Sequence, residues 1–197
     1  ELKEPDAYCG DQKFYVYFRL PADVRGTAYL VYKHVKRDDD RWLYLPDLDL
    51  KKRIAATDER TSFVGSHFFY EDVSGRNTTE DTHELVDTTE NYYVLKSTPK
   101  EPGAVEFAYY KTWIIKSNFL VSQQSYYDEE DEEYRRYRAE QVQEIQGYPT
   151  VVKSRMSDLR SGGHTTLEYT DVEYDIGLPE DIFTERYLKV PPRQHLR

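Results

Sequence analysis

Five histidines, one cysteine and one dense acidic run are the side chains of this 197-residue sequence best suited to chemistry, and their spacing argues against most of it. His34, His67, His83, His164 and His195 stand far apart, with no second His or Cys at the spacing a zinc site needs. Each therefore reads as a solvated loop or strand histidine. Ser66 and His67 are adjacent, which points their side chains apart, and no nucleophile-elbow pattern surrounds Ser66. Cys9 has Tyr8 and Gly10-Asp11 beside it and no cation to activate it, so it reads as inert; being single, it also excludes an internal disulfide. The run from Asp128 to Glu133 lacks the interspersed glycine and carbonyl geometry of a calcium loop and reads as a hairpin tip. Acidic residues are abundant, but no two are singled out as a converging pair for glycoside hydrolysis. The expectation is a protein with no catalytic residue, no metal and no cofactor.

What remains is binding by rings. The chain carries 19 Tyr, 8 Phe and 2 Trp, which favour pleated, half-buried surfaces. Its net charge of −10 repels nucleic acid and anionic bilayers, and no apolar run approaches the roughly 20 residues of a membrane-spanning helix, so neither partner is expected. The sequence opens at Glu1 without Met, which suggests that an N-terminal piece such as a targeting peptide has been removed.

The elements that must position the rings are strands. Phe14 to Leu20 alternates at period two, with Phe14, Val16 and Phe18 on one face and Tyr15 and Tyr17 on the other. Further strands are predicted over 27–34, 41–45 and 50–55, then 83–88, 91–97, 105–116, 119–127, 133–145, 150–159 and 165–174, separated by turn signals. Phe63 to Ser74, bracketed by Gly65 and Gly75, reads as a short helical or irregular turn. Pro179 starts a short terminal helix carrying Ile182, Phe183, Tyr187 and Leu188, which Pro191-Pro192 ends. The predicted fold is mainly β, a single domain built on an up-and-down antiparallel sheet of about ten strands that must curl or close.

Within "DRWLYLPDLDLKKRI", Asp40 to Ile54, four bulky residues run from Trp42 to Leu45 without alternating. Tyr92 to Leu95 and Phe107 to Tyr110 repeat the pattern. A strand with one wet face alternates, whereas one covered on both faces reads as a continuous apolar run. The sequence holds too little helix to cover such a sheet, so the expected cover is a missing N-terminal helix or a bound apolar ligand. The candidate lining is Phe14, Val16 and Phe18, or the opposite set Tyr15 and Tyr17, together with Trp42, Tyr44, Phe107, Tyr109, Trp113 and Ile115. Phe68, in the Phe63 to Ser74 turn, joins this set. An acyl tail of about fourteen carbons would gain roughly 11 kcal/mol gross in such a trough, at about 0.8 kcal/mol per methylene, without any specific polar contact.

Four segments carry a family resemblance: "FRLPADVRGTAYL" (18–30), "DRWLYLPDLDLKKRI", "RTSFVGSHFFYEDV" (60–73) and "DIFTERYL" (181–188). In this order they resemble the LolA-like outer-membrane lipoprotein-sorting family, within it the branch associated with RND-type exporters. The resemblance implies an unclosed β-barrel with short helices as its lid, and a periplasmic carrier of lipid or lipoprotein acyl chains that works with an inner-membrane exporter. Two positions depart from the pattern: His67 stands where Asp is usual after Gly65-Ser66, and Ile115 stands where Asp is common after Trp113-Ile114. Trp42, Tyr44, Pro46, Phe63, Gly65, Tyr70, Glu71 and Asp72 read as fold markers first. Lys51-Lys52-Arg53 and Arg135-Arg136 with Arg138 are basic spots that either balance the acidic surface or dock an acidic partner or headgroup. The alternative reading is a carbohydrate-binding β-module, with Trp42, Trp113 and Tyr rings stacking on sugars; a barrel hydrolase would need two converging carboxylates or a polar triad.

Overall fold

The computed structural model describes residues 2–3, 10–35 and 37–196; Cys9 lies outside them. Strands β1 (Leu2–Lys3), β2 (Gln12–Tyr17), β3 (Ala28–Lys33), β4 (Asp40–Leu45) and β5 (Leu50–Ile54) form a five-stranded antiparallel sheet in chain order. Strands β6 (Asp81–Thr88), β7 (Tyr92–Pro99), β8 (Tyr109–Ile115), β9 (Val121–Tyr127), β10 (Glu133–Ile145), β11 (Tyr148–Asp158) and β12 (His164–Glu168) form a seven-stranded one, again in chain order. Both ladders are open lines, so the fold is mainly β, antiparallel and not closed into a barrel.

The predicted meander thus divides in two. Between β5 and β6 the chain takes 3-10 turns at Ala56–Asp58 and Thr78–Glu80 and a short helix, α1 (Tyr70–Ser74), with Gly65 and Gly75 both at φ +77°. Backbone in those conformations cannot continue a ladder. The chain gathers into two compact units: one takes in the residues up to Val64, Val73–Gly75 and the stretch from Asp175, the other Gly65–Asp72 and Arg76–Tyr174.

In the first unit the register sets Tyr15 opposite Leu30 and Leu30 opposite Trp42, and likewise Tyr17, Ala28 and Tyr44 in a row. These residues and Tyr32 share one face, while Phe14, Val16, Tyr29, Val31 and Leu43 share the other. Ala28, Tyr29, Leu30 and Val31 are all 0% exposed, so this strand is covered on both sides. The predicted terminal helix is two short pieces, a 3-10 turn over Glu180–Phe183 and α2 (Arg186–Lys189), because Thr184 between them is extended.

In the second unit two predicted strands are shorter than expected. β8 begins at Tyr109 because the 3-10 turn Pro102–Ala104 precedes it and Phe107 turns into the core against Tyr110 and Tyr126. β12 ends at Glu168; beyond it, the Tyr174 backbone N–H donates to Oε1 of Gln146 at 2.6 Å and its ring packs on Tyr148.

Tyrosine supplies much of both cores, with a consequence at high pH. Burial pushes the Tyr15, Tyr110 and Tyr126 hydroxyls up from their ordinary 10.0, and that of Tyr134 up to about 12. A folded-state pKa above the unfolded one contributes stability that is full below pH 10.0 and is lost as pH rises through the raised values. A spectrophotometric tyrosinate titration should show two stages: exposed rings ionising near pH 10, and the buried set only as the fold is lost. A single step with all 19 tyrosines ionising in the intact fold would contradict this packing.

Candidate functional site

The first unit answers what covers the second face of β4. Ile182, Phe183 and Leu188, at 5%, 2% and 0% exposure, lie on Ala28, Leu30 and Tyr44. Tyr15, Tyr17, Tyr32, Trp42 and Leu178 close in around them, with Tyr32 edge-on to Trp42 at 5.1 Å. The chain's own C-terminal stretch therefore does the covering expected of a missing helix or a ligand. Ten residues suffice because the aromatic bed is only three strands wide.

The pins that hold this cover sit at its rim. Tyr15 Oη donates to the Tyr187 carbonyl at 2.6 Å, and Tyr32 Oη donates to that of Phe183. Lys13 pairs with Glu180, Lys51 with Glu185 at 3.1 Å, and Lys189 with Asp49 at 2.6 Å. Such solvent-facing ion pairs add little, so the apolar contact supplies most of the hold. On the opposite face of the sheet Phe63 packs against Phe18 at 5.6 Å and Tyr29 at 5.1 Å. There Arg41, 3% exposed, donates to Asp39, Glu59 and Ser74 Oγ at 2.8, 2.6 and 3.3 Å.

In the second unit the segment from Gly65 to Asp72 is fixed by buried arginines. Arg135 pairs with Asp72, donates to the His67 carbonyl at 3.1 Å, and lays its guanidinium 3.8 Å from the Phe69 ring centre. Burial opposes its charge, and the Asp72 carboxylate outweighs burial, so its pKa is raised. Arg76 binds Asp81, Glu71 and Glu80 at 2.9, 2.9 and 2.8 Å, and Tyr110 Oη donates to Asp81 at 2.8 Å. His67 bonds Thr165 Oγ1 through its backbone N–H and Nδ1, and its ring fills the space a side chain at Gly163 would need, 2.4 Å from where a Cβ would stand. The motif residues here hold the fold. Phe68 is buried at 8%, and Phe107 lies in a core with Tyr110 and Tyr126.

Tyr109 and Trp113 do come together, in an open recess of about 530 Å³ on the other face of the seven-stranded sheet. Val86 and Val94 add apolar wall, but Lys96, Lys111, Asp87 and Asp131 also line it, so it is of mixed charge where sequence reasoning expected an apolar trough. Ile115 is half-buried two residues beyond Trp113. The four charged residues went unseen because they meet only through strand register, which sets Lys96 opposite Lys111. Trp42 stands on the five-stranded sheet and Trp113 on the seven-stranded one.

Other expectations are corrected. Arg135 is an internal strut, and Arg136 pairs with Glu133, so that basic spot is not a free patch. His34 bridges Asp11 and Asp40 at 3.0 and 3.1 Å, and His83 bridges Ser97 Oγ and the Thr78 carbonyl at 2.8 Å each, so neither is merely solvated. The acidic run is the hairpin tip expected, between β9 and β10, where Asp128 accepts the Glu132 N–H at 2.9 Å and pairs with Arg160. Among the described residues no three His, Cys, Asp or Glu side chains group as a metal site, and no helix is long and apolar enough to cross a membrane.

A family model described as "Uncharacterized protein" matches residues 10–190. No curated protein matches. Three crystal structures share the fold. A DUF1329 family protein from Desulfovibrio piger is 29% identical, with a TM-score of 0.83 over 90% of this chain and 77% of its own. An outer membrane lipoprotein-sorting protein domain from Vibrio parahaemolyticus is 27% identical, with a TM-score of 0.82 over 91% and 78%. A LolA superfamily protein from Nitrosomonas europaea is 25% identical, with a TM-score of 0.66 over 90% and 79%.

Removing one partner of a buried pair leaves the other charge uncompensated. Arg135→Met should therefore lower stability by about 3 kcal/mol in urea unfolding, with Asp72→Asn adding little on top because the two share one interaction. Additive losses, or a loss below about 1 kcal/mol for Arg135→Met, would contradict the strut.

Proposed function

Because the chain belongs to the LolA-like family, we propose that it is a carrier of lipid or lipoprotein that binds acyl chains on the bed of the five-stranded sheet, in place of its own residues 180–189. Of the candidate positions, Tyr15, Tyr17, Trp42 and Tyr44 are the lining, and the C-terminal stretch is the lid. The observation that carries this reading is an aromatic bed covered by three apolar side chains of a short stretch, with hydrogen bonds and exposed ion pairs around them.

The magnitudes make the exchange feasible. Ile182, Phe183 and Leu188 gain about 1.5–3 kcal/mol each from burial, roughly 5–9 kcal/mol together. A fourteen-carbon tail offers about 11 kcal/mol gross. Terms this close let cargo replace the lid on loading and the lid replace cargo on delivery, without chemistry. Tyr and Trp suit the bed because their rings accept hydrocarbon while the hydroxyl and indole N–H tolerate water. The same reading makes the protein a non-enzymatic carrier in the bacterial periplasm, moving cargo between membranes with an RND-type exporter; the likeness of its four motif segments to that branch supports this.

A lid that must open taxes affinity, so loosening it should tighten binding. In a fluorescent fatty-acid displacement assay the wild type should bind saturably, and Lys51→Gln with Lys189→Gln should bind about threefold tighter. Absence of saturable binding, or weaker binding in the double variant, would overturn the proposal.

A further inference from the structure

Lys96 and Lys111 face each other across β7 and β8 on the recessed side of the seven-stranded sheet. Like charges directly opposite on one face are destabilising. Among the described residues neither lysine pairs with a carboxylate, although Asp87 and Asp131 line the same recess. Both ammonium groups lie over rings instead: Lys96 Nζ is 4.1 Å from the Tyr109 centroid, and Lys111 Nζ is 5.2 Å from that of Tyr127. Those two rings are stacked at 4.7 Å and 13°, and of the two Tyr109 lines the recess. The Tyr109 hydroxyl donates to Asp131, which fixes that carboxylate at the rim, and Asp87 accepts the Thr88 N–H at 2.7 Å.

The recess thus holds two unpaired cations beside two anchored anions, with the indole of Trp113 as neighbour. A simple anion would satisfy the lysines but meet the carboxylates; a simple cation would do the reverse. We propose that the recess binds a zwitterionic phosphate ester, with the phosphate held by Lys96 and Lys111 and the ammonium at Asp87, which the register sets in one row with Val94 and Trp113. Two ammonium donors suit a phosphate, and an aromatic face beside carboxylates suits an alkylammonium. A volume of about 530 Å³ accommodates a headgroup-sized molecule. This site goes beyond the acyl-carrier reading and stands without it. The chemistry is shared by a phospholipid headgroup and a soluble phosphodiester.

Isothermal titration calorimetry on the whole chain separates these sources, with glycerophosphoethanolamine as the soluble probe, lysophosphatidylethanolamine as the lipid, and inorganic phosphate as the anion without an amine. Glycerophosphoethanolamine should bind, inorganic phosphate should bind at least tenfold more weakly, and Lys111→Gln or Lys96→Gln should weaken the zwitterion about tenfold. Lysophosphatidylethanolamine binding tighter than the soluble probe assigns the lipid source; equal binding assigns the soluble ester. Relief of the like-charge pair should also leave the unliganded Lys111→Gln protein at least as thermally stable as the wild type, which separates lost binding from lost folding. No binding of either zwitterion, equal binding of phosphate, or binding unchanged in Lys96→Gln with Lys111→Gln would overturn the site. Fatty-acid binding in those same variants is expected to be unchanged, so failure here leaves the carrier reading standing.

Discussion

A sheet face built of Tyr15, Tyr17, Leu30, Trp42 and Tyr44 must be kept from water, and everything in the first unit follows from how that is done. The strands are short, the bed is narrow, and the cover is a broken C-terminal stretch in place of a long helix. Such a cover is held by apolar contact in its middle and by hydrogen bonds to two carbonyls and ion pairs at its edge. Apolar contact is non-directional, so hydrocarbon from another molecule can substitute for it. A helix with many buried polar contacts would not be so replaceable. The reading as a carrier rests on this difference.

The second unit stabilises its loops by the opposite means. Arg135 takes the Asp72 carboxylate and Arg76 those of Glu71, Glu80 and Asp81, and aromatic rings lie against both guanidinium groups. Charges with so little water near them are costly unless fully partnered, which makes this arrangement specific and hard to exchange.

The strands were legible in the sequence because aromatic and β-branched residues at period two leave a strong pattern; Glu133 to Ile145 is β10 to the residue. The unbroken run from Trp42 to Leu45 correctly signalled two covered faces, but not the identity of the cover, since Ile182, Phe183 and Leu188 meet it across more than a hundred residues of chain. The division of the meander into two sheets was not legible either: it depends on non-ladder backbone around Gly65 and Gly75, and a glycine in sequence does not announce its φ. Tyr109 and Trp113, expected to line an apolar trough, stand in a recess with lysines and aspartates that the sequence did not reveal, because register, which brings Lys96 to Lys111, is a property of paired strands. Arg135, read from composition as surface charge, lies in the core because Asp72 meets it there.

The most direct test of replaceable cover is hydrogen exchange at the amides of residues 180–189, measured with and without a saturating fatty acid. Displacement of the lid predicts that these amides exchange faster in the loaded protein while those of β3 and β4 stay protected. Saturable binding with unchanged or slower exchange in this stretch would contradict the account.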